Sequence, residues 1–436
     1  MSDPKFHLGW FHSSGFSPAG WNAEWAGHVA RDWADPGYYV DMVRSLERAR
    51  FDCLVMEDSS FVPEDYGSSP DYYLRNAFRA PKNDPVPLMA ILGQHTSRLG
   101  LLPTMSTSFY PPFLAARLIA TMDHLNGGRA GANLVTSTSD TAAQNYGLDT
   151  HFLHDERYRM AEEFVKLVDE LWASWDADAI VNDREAGMFA DPTKVRRVDF
   201  AGKYFRSRGP LNTPRPPQGR PVISQAGGSP QGRDFAARTA DIMLGSAGSL
   251  EDMKALRDDM RSRVAAAGRP SDALKVLFVI GVKIVETEAG ATELRARAAD
   301  LSDERIVAML AGMSSITGID FAQFDLDEPL GELTTNGQQG TLAQFLRGKD
   351  GRTLREIVKG YTRTEDFIGT PGQVARRLAE INEECRGDGF LISTDNGALR
   401  KHLFDVTEGL APELQRLGLT RTDYASERFR DNLFAF

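Results

Sequence analysis

Eight short apolar runs alternate with amphipathic helical stretches along this chain, and few folds accept that rhythm. The runs span residues 5–11, 52–57, 99–105, 130–136, 221–226, 241–245, 275–285 and 389–393. Each is apolar on both faces, as parallel strands buried between two layers must be. The stretches between them repeat with a helical period. Tyr39, Met42, Val43, Leu46 and Ala49 share one face; Tyr158, Ala161, Val165, Val168 and Trp172 share another. A third helix is expected over residues 371–385, with Val374, Leu378, Ile381 and Cys385 on its apolar side. Thr370, Pro371 and Gln373 give it a cap, a first-turn proline and a capping box. Eight strands in strict alternation with helices suit a closed barrel better than an open sheet. The expected fold is therefore α/β, a (β/α)8 TIM-like barrel.

The chain has 436 residues, which a large barrel with insertions accommodates as one domain over residues 1–436. Two stretches break the rhythm, about 176–214 and 287–369, and connections this long usually carry function. A formal charge of −11 argues against a nucleic-acid partner. Cys53 and Cys385 lie far apart and show no metal-ligand spacing, so no metal site is expected. The start of the chain lacks a leader pattern and no run is long enough to span a bilayer, so a cytoplasmic protein without a membrane partner is expected.

In a parallel barrel the reactive groups gather at the C-terminal ends of the strands. Here those ends carry Glu57-Asp58-Ser59-Ser60, Thr104-Met105-Ser106, Asn133 to Ser137, and Gln225 to Pro230. These are mostly small hydrogen-bonding residues, without a nucleophilic triad or an obvious acid–base pair. Such a lining suits a large polar cofactor that brings its own reactivity. Gly227 and Gly228 follow a strand, and Ser229-Pro230 opens a helix. That turn fits a phosphate at a helix N-terminus, and equally an ordinary strand-to-helix junction. His154 and Tyr158 lie four apart at another helix start, so they share a face; a buried tyrosine bonded to a backbone carbonyl explains the same pattern. His12 ends the first strand and is the candidate proton donor or substrate contact. Trp10, Trp21 and Trp25 either line a substrate pocket or plug the barrel. Arg75, Arg79 and Lys82, offset by Asp71 and Asp84, read as a solvated charged loop.

The chain resembles the bacterial-luciferase-like flavin monooxygenases, in the branch of nitrilotriacetate, dibenzothiophene-sulfone and long-chain alkane monooxygenases. The likeness rests on Arg48 to Asp52 leading to Asp58, on Tyr110-Pro111-Pro112-Phe113 and on Ala116-Arg117. It continues in Asp123 to Arg129, Asn133 to Ser137, His154 to Tyr158, Arg208 to Asn212, Pro214 to Gly219 and Gln225-Ala226-Gly227. The resemblance implies reduced FMN, FMNH2, bound noncovalently and supplied by a separate NAD(P)H-dependent flavin reductase. It places flavin contacts on Asp58, Thr104, Asn133, Ser137, His154, Tyr158 and Ser229, with Ser229 and Tyr158 at the phosphate and Asp58 and Thr104 near the ring and its tail. The loop 13–33, with three tryptophans, departs from the family, so no substrate residues carry over.

The implied reaction joins reduced flavin and dioxygen to a C4a-hydroperoxide, which passes one oxygen atom to a small organic substrate. Two other readings stand beside it: cleavage of a C–N or C–S bond in a heterocycle with the same cofactor, and flavin binding without turnover. A homodimer or homotetramer is expected from the resemblance and from Phe429, Phe434 and Phe436. Residues 320–369, rich in glycine, are expected to form a mobile lid.

Overall fold

The computed structural model describes residues 5–13, 21, 34–299, 301–361, 367–394 and 400–436. Eight parallel strands close into a barrel: β1 His7–His12, β2 Cys53–Met56, β3 Gly100–Ser106, β4 Gly131–Val135, β5 Val222–Gln225, β6 Ile242–Gly245, β7 Lys275–Ile280 and β8 Gly389–Ser393. Neighbours in space are neighbours in sequence, and β8 returns to β1 with His7 opposite Gly389. The barrel is the α/β TIM-like architecture that the alternation requires.

Side chains alternate across each strand. Cys53, Val55, Leu102, Val222, Ile242, Leu244, Leu277 and Leu391 form the barrel interior. Leu54, Met56, Leu101 and Trp10 point outward into a larger shell under the helices. Those helices include α1 Gly37–Arg48, α2 His154–Trp172 and α3 Pro230–Thr239. All five apolar positions read on α2 are buried. Trp10 packs on Phe51 and His402 in the shell, away from any substrate pocket at the mouth.

The two irregular stretches have different characters. Residues 180–207 form two small antiparallel hairpins laid on the outside of α2, where Glu163 accepts from the backbone N–H groups of Lys203, Tyr204 and Phe205. The later stretch holds α4 Asp303–Thr317, α5 Gln339–Phe345 and α6 Leu354–Tyr361. These enclose an apolar core of their own, including Ile306, Leu310, Phe321, Phe345, Leu354 and Val358. The expected lid, residues 320–369, thus packs α5 and α6 into this core beside α4; 362–366 lie outside the described residues. Its glycines serve packing as well as turns: a Cβ on Gly337 would lie 2.7 Å from the Thr317 carbonyl oxygen. The helix α7 Pro371–Cys385 follows, with the Thr370–Gln373 capping box in place.

The run read as the seventh strand is shorter than expected. It leaves the barrel at Ile280, and Lys283–Ile284 instead pairs with Ile368–Gly369. The tail, residues 419–436, packs across the N-terminal end of the barrel. Phe429 and Leu433 plug the interior from below, and His7 stacks on Phe436 with ring centroids 4.5 Å apart. Two of the aromatics that motivated an oligomer are therefore engaged within the chain. Buried carboxylates fasten this end. Asp52 pairs with Arg421 at 2.6 Å, and Asp241 with Arg220 at 3.1 Å and Arg430 at 2.9 Å. Among the described residues, no helix is long and apolar enough to cross a membrane.

Candidate functional site

At the opposite end of the barrel the strand ends bring together two groups of residues. The first is a corner between β5, α2 and α3. Ser229 caps α3: its Oγ accepts from Gly232 N at 3.2 Å, and Pro230 takes the first helical position. His154 Nε2 lies 3.1 Å from that Oγ, and its Nδ1 lies 2.8 Å from Asp155 Oδ1. A carboxylate only accepts, so Nδ1 carries the proton; in the neutral ring Nε2 then accepts from the Ser229 hydroxyl. The Tyr158 ring meets His154 edge-on, 5.1 Å between centroids, and its hydroxyl is surrounded by Ser229, Thr136 and Gln225. Burial raises the Tyr158 pKa, so the phenol stays protonated and able to donate.

Gly227 is dictated by this packing. A Cβ there would stand 2.4 Å from the Tyr158 hydroxyl, whereas one on Gly228 would meet nothing. The turn is therefore tight on its inner side and open on the other. Gln225 Oε1 is buried without a hydrogen-bond partner. A glycine turn, a capped helix start and the Tyr158 hydroxyl suit a phosphate ester.

The second group lines the mouth above β1 to β5. Thr104, Asn133 and Ser224 are in register on adjacent strands. Asn133 Nδ2 donates to Thr104 Oγ1 at 2.8 Å, and Ser224 Oγ donates to Asn133 Oδ1 at 3.1 Å. Ser137 holds a left-handed backbone, φ 55°, while its Oγ bonds Ser106 Oγ at 2.8 Å. Strain at such a position is typical of a functional turn.

Glu57 and Asp58, adjacent at the end of β2, are driven apart electrostatically. Burial pushes both toward protonation. For Glu57 the effect is outweighed by Lys82 Nζ at 2.8 Å and Arg79 at 3.3 Å, so its pKa falls below the ordinary value. For Asp58 burial wins over Lys82, with Glu57 and Asp84 adding repulsion, and its pKa rises to about 7. Two carboxyls with separated pKa values are a mark of acid–base capacity. Lys82 is only 6% exposed and also bonds Ser59 Oγ at 2.8 Å, so the solvated-loop reading fails for it. Arg75 alone fits that reading, exposed and 3.4 Å from Asp71.

The Asp58 shift makes a stability prediction. An acid whose pKa is higher folded than unfolded costs nothing below its unfolded value near 3.8; the cost grows as pH rises and is complete above about 7. Asp58→Asn is expected to stabilise the protein by about 2–4 kcal/mol at pH 8 and hardly at all at pH 4. Denaturant unfolding at both pH values checks this; an equal effect at the two would contradict the shift.

His12 is buried and ends β1, but it shares the outward face with Leu8 and Trp10 rather than the inward face of Phe11. Its ring meets Tyr39 of α1 edge-on at 5.8 Å, and its charge contributes to the lowered Glu57 pKa. The loop 13–33 lies outside the described residues apart from Ser13 and Trp21, so Trp25 and Trp33 are not placed.

Sequence reasoning expected the late insertion to form a lid but missed its contacts with the corner. Asn336 Oδ1 accepts from His154 N at 3.0 Å, and a Cβ on Gly340 would lie 3.2 Å from the Gly228 carbonyl carbon. Arg347 forks onto Asp252 at 2.8 and 2.7 Å. A groove of about 630 Å³ runs along this seam between His154–Arg159 and Thr334–Gln339. Nothing local in residues 334–340 announces a partner some 180 positions away.

Comparison with known proteins agrees with this architecture. The luciferase-like monooxygenase family matches residues 6–388. The chain is 36% identical to dibenzothiophene-sulfone monooxygenase of Rhodococcus erythropolis (strain XP) over 98% of its length and 96% of that protein's. It is also 36% identical to nitrilotriacetate monooxygenase component A of Aminobacter aminovorans, covering 99% and 97% of the two. Its fold matches the crystal structure of riboflavin lyase (RcaE) with modified FMN and riboflavin at a TM-score of 0.88, with 30% identity over 99% and 96% of the chains. The barrel, the strand-end chemistry and these likenesses agree: the chain belongs to the luciferase-like monooxygenase family and is a flavin-dependent oxidoreductase.

Proposed function

We propose that this chain is the oxygenating component of a cytoplasmic two-component system. It takes FMNH2 from a separate NAD(P)H-dependent flavin reductase and transfers one oxygen atom of O2 to a small organic substrate. The carrying observation is the corner of Gly227, Gly228, Ser229, His154 and Tyr158, which fits a terminal phosphate and thereby FMN. Bound there, the reduced flavin supplies electrons to dioxygen; one oxygen atom leaves as water.

The protein's own residues bind, orient and shield. Tyr158 donates to the phosphate, and Ser229 does so once its single hydroxyl hydrogen turns from His154 Nε2 toward it. Thr104, Asn133 and Ser137 line the path from corner to mouth, and Asp58 sits where the ring would lie. With a pKa of about 7, Asp58 can give or take a proton near neutrality. His12, the candidate proton donor or substrate contact, stands close enough to Glu57 to act on it electrostatically. Gly340 packs against Gly228 and Ser229 N, so a shift of the insertion as a body would open the corner to flavin and its return would exclude water.

A second reading, oxidative cleavage of a heterocycle that is itself flavin-like, draws support from the similarity to riboflavin lyase. Labelled dioxygen with supplied FMNH2 and a substrate panel tests both. One labelled atom in an otherwise intact product supports oxygen insertion; label confined to a ring-opened or split product supports cleavage. Flavin oxidation that no substrate changes would leave a flavin-binding protein without turnover.

A further inference from the structure

Arg157 lies between His154 and Tyr158 on α2, and its side chain is fully buried. Its Nη1 donates to the Phe152 carbonyl and its Nη2 to the Asn336 carbonyl, each at 2.7 Å; Nε has no acceptor. Among the described residues no carboxylate pairs with it. The carboxylate that acts on it electrostatically, after the neighbouring Tyr158, is Asp140, whose Oδ1 accepts from His151 N at 2.8 Å. Arg257 and Arg421 are buried almost as deeply, but each has a carboxylate, Asp388 or Asp52. Arg129 lacks one too, yet its guanidinium reaches four oxygen acceptors near the barrel floor, whereas Arg157 has two.

A guanidinium keeps its charge in proteins even when buried. Burial without a counter-ion is costly, and the cost falls when an anion binds nearby. The guanidinium is linked to the Gly227–Ser229 turn: Asn336, whose carbonyl it holds, accepts through Oδ1 from His154 N, and His154 Nε2 lies 3.1 Å from Ser229 Oγ; Tyr158, on which Arg157 acts electrostatically, reaches the turn with its hydroxyl. We propose that Arg157 is a specificity-determining residue: a fixed buried charge, held in place by Asn336 of the insertion, that makes the corner select a phosphorylated flavin over an uncharged one. It acts through the field rather than by contact: two of its five N–H groups hold the Phe152 and Asn336 carbonyls and fix the guanidinium in place. This rests on the reading of the corner as the FMN phosphate site.

The test compares dissociation constants for FMN and riboflavin, read by flavin fluorescence on the full chain. The variants are Arg157→Lys, Arg157→Gln and Arg157→Met. The unchanged protein is expected to prefer FMN. Lysine retains the charge and should keep that preference within about threefold. Glutamine keeps a donor for the Asn336 carbonyl but loses the charge; methionine loses both. Each should cut the preference by about tenfold or more, with riboflavin affinity unchanged. If the methionine variant does not fold, the glutamine and lysine pair still decides. Equal losses for both flavins would make Arg157 a packing residue and overturn the proposal, as would an unaltered preference in the glutamine variant. An unchanged protein that binds both flavins equally would instead overturn the phosphate reading of the corner.

Discussion

Ser229→Asp is expected to weaken FMN binding by about two orders of magnitude and to leave riboflavin binding nearly intact. The substitution isolates charge from structure. Aspartate is as good a helix cap as serine, so acceptance from Gly232 N, 3.2 Å away in the present protein, is preserved and α3 stays anchored. What changes is a carboxylate held against the site proposed for a phosphate dianion, partly shielded from solvent because Ser229 is 6% exposed. Fluorescence titration with the two flavins reads the result. A similar loss for riboflavin would mean that the turn had been distorted, and an unchanged FMN constant would remove Ser229 from the site.

The second large effect lies at the other end of the barrel. Asp241 is fully buried and accepts from Arg220, Arg430 and Ile223 N, with Arg269 at 4.0 Å. Asp241→Ala would leave three guanidinium groups facing one another around a vacated carboxylate. Removing one member of such a buried set typically costs about 3–5 kcal/mol. The loss should appear in denaturant unfolding, with flavin affinity per folded molecule unaltered. A double variant with Arg430→Met should recover part of the loss, because it removes one of the stranded charges. A cost below about 1 kcal/mol, or no coupling with Arg430, would show that solvent already compensates the arginines.

The barrel was legible because its signal is local and repeated. Each strand is an apolar run between turn residues, and each helix carries its stripe, as the five buried positions of α2 illustrate. The reading failed where a strand changed partners rather than pattern. Residues 275–285 look continuous, but the backbone leaves the barrel after Ile280 to pair with Ile368–Gly369. Periodicity reports which residues are apolar, and the neighbour they meet lies beyond its reach.

The same division runs through the site. Thr104, Asn133 and Ser229 were visible because strand ends and helix starts are sequence features. Lys82 was misread because a lysine among acidic neighbours looks solvated; only the fold shows Glu57 and Ser59 closing on it. Asn336 and Gly340 fall within the stretch expected as a lid, but the residues they meet were not legible. Their role depends on a helical body returning to a turn more than a hundred residues earlier in the chain, and no local pattern encodes such a contact.

The plug made by Phe429 and Leu433 has a consequence for how the molecule is made. Residues 419–436 are synthesised after every barrel strand, yet they supply the floor of the barrel and fasten its first strand through Phe6 N to the Leu419 carbonyl at 2.8 Å. A nascent chain with all eight strands already outside the ribosome therefore still has an open lower layer, wetting Cys53, Leu102 and Val222 until the tail arrives. At typical elongation rates, on the order of 10 residues per second, that interval is brief. A translational pause or premature stop within the tail would prolong it and hand a nearly complete barrel to the quality-control machinery.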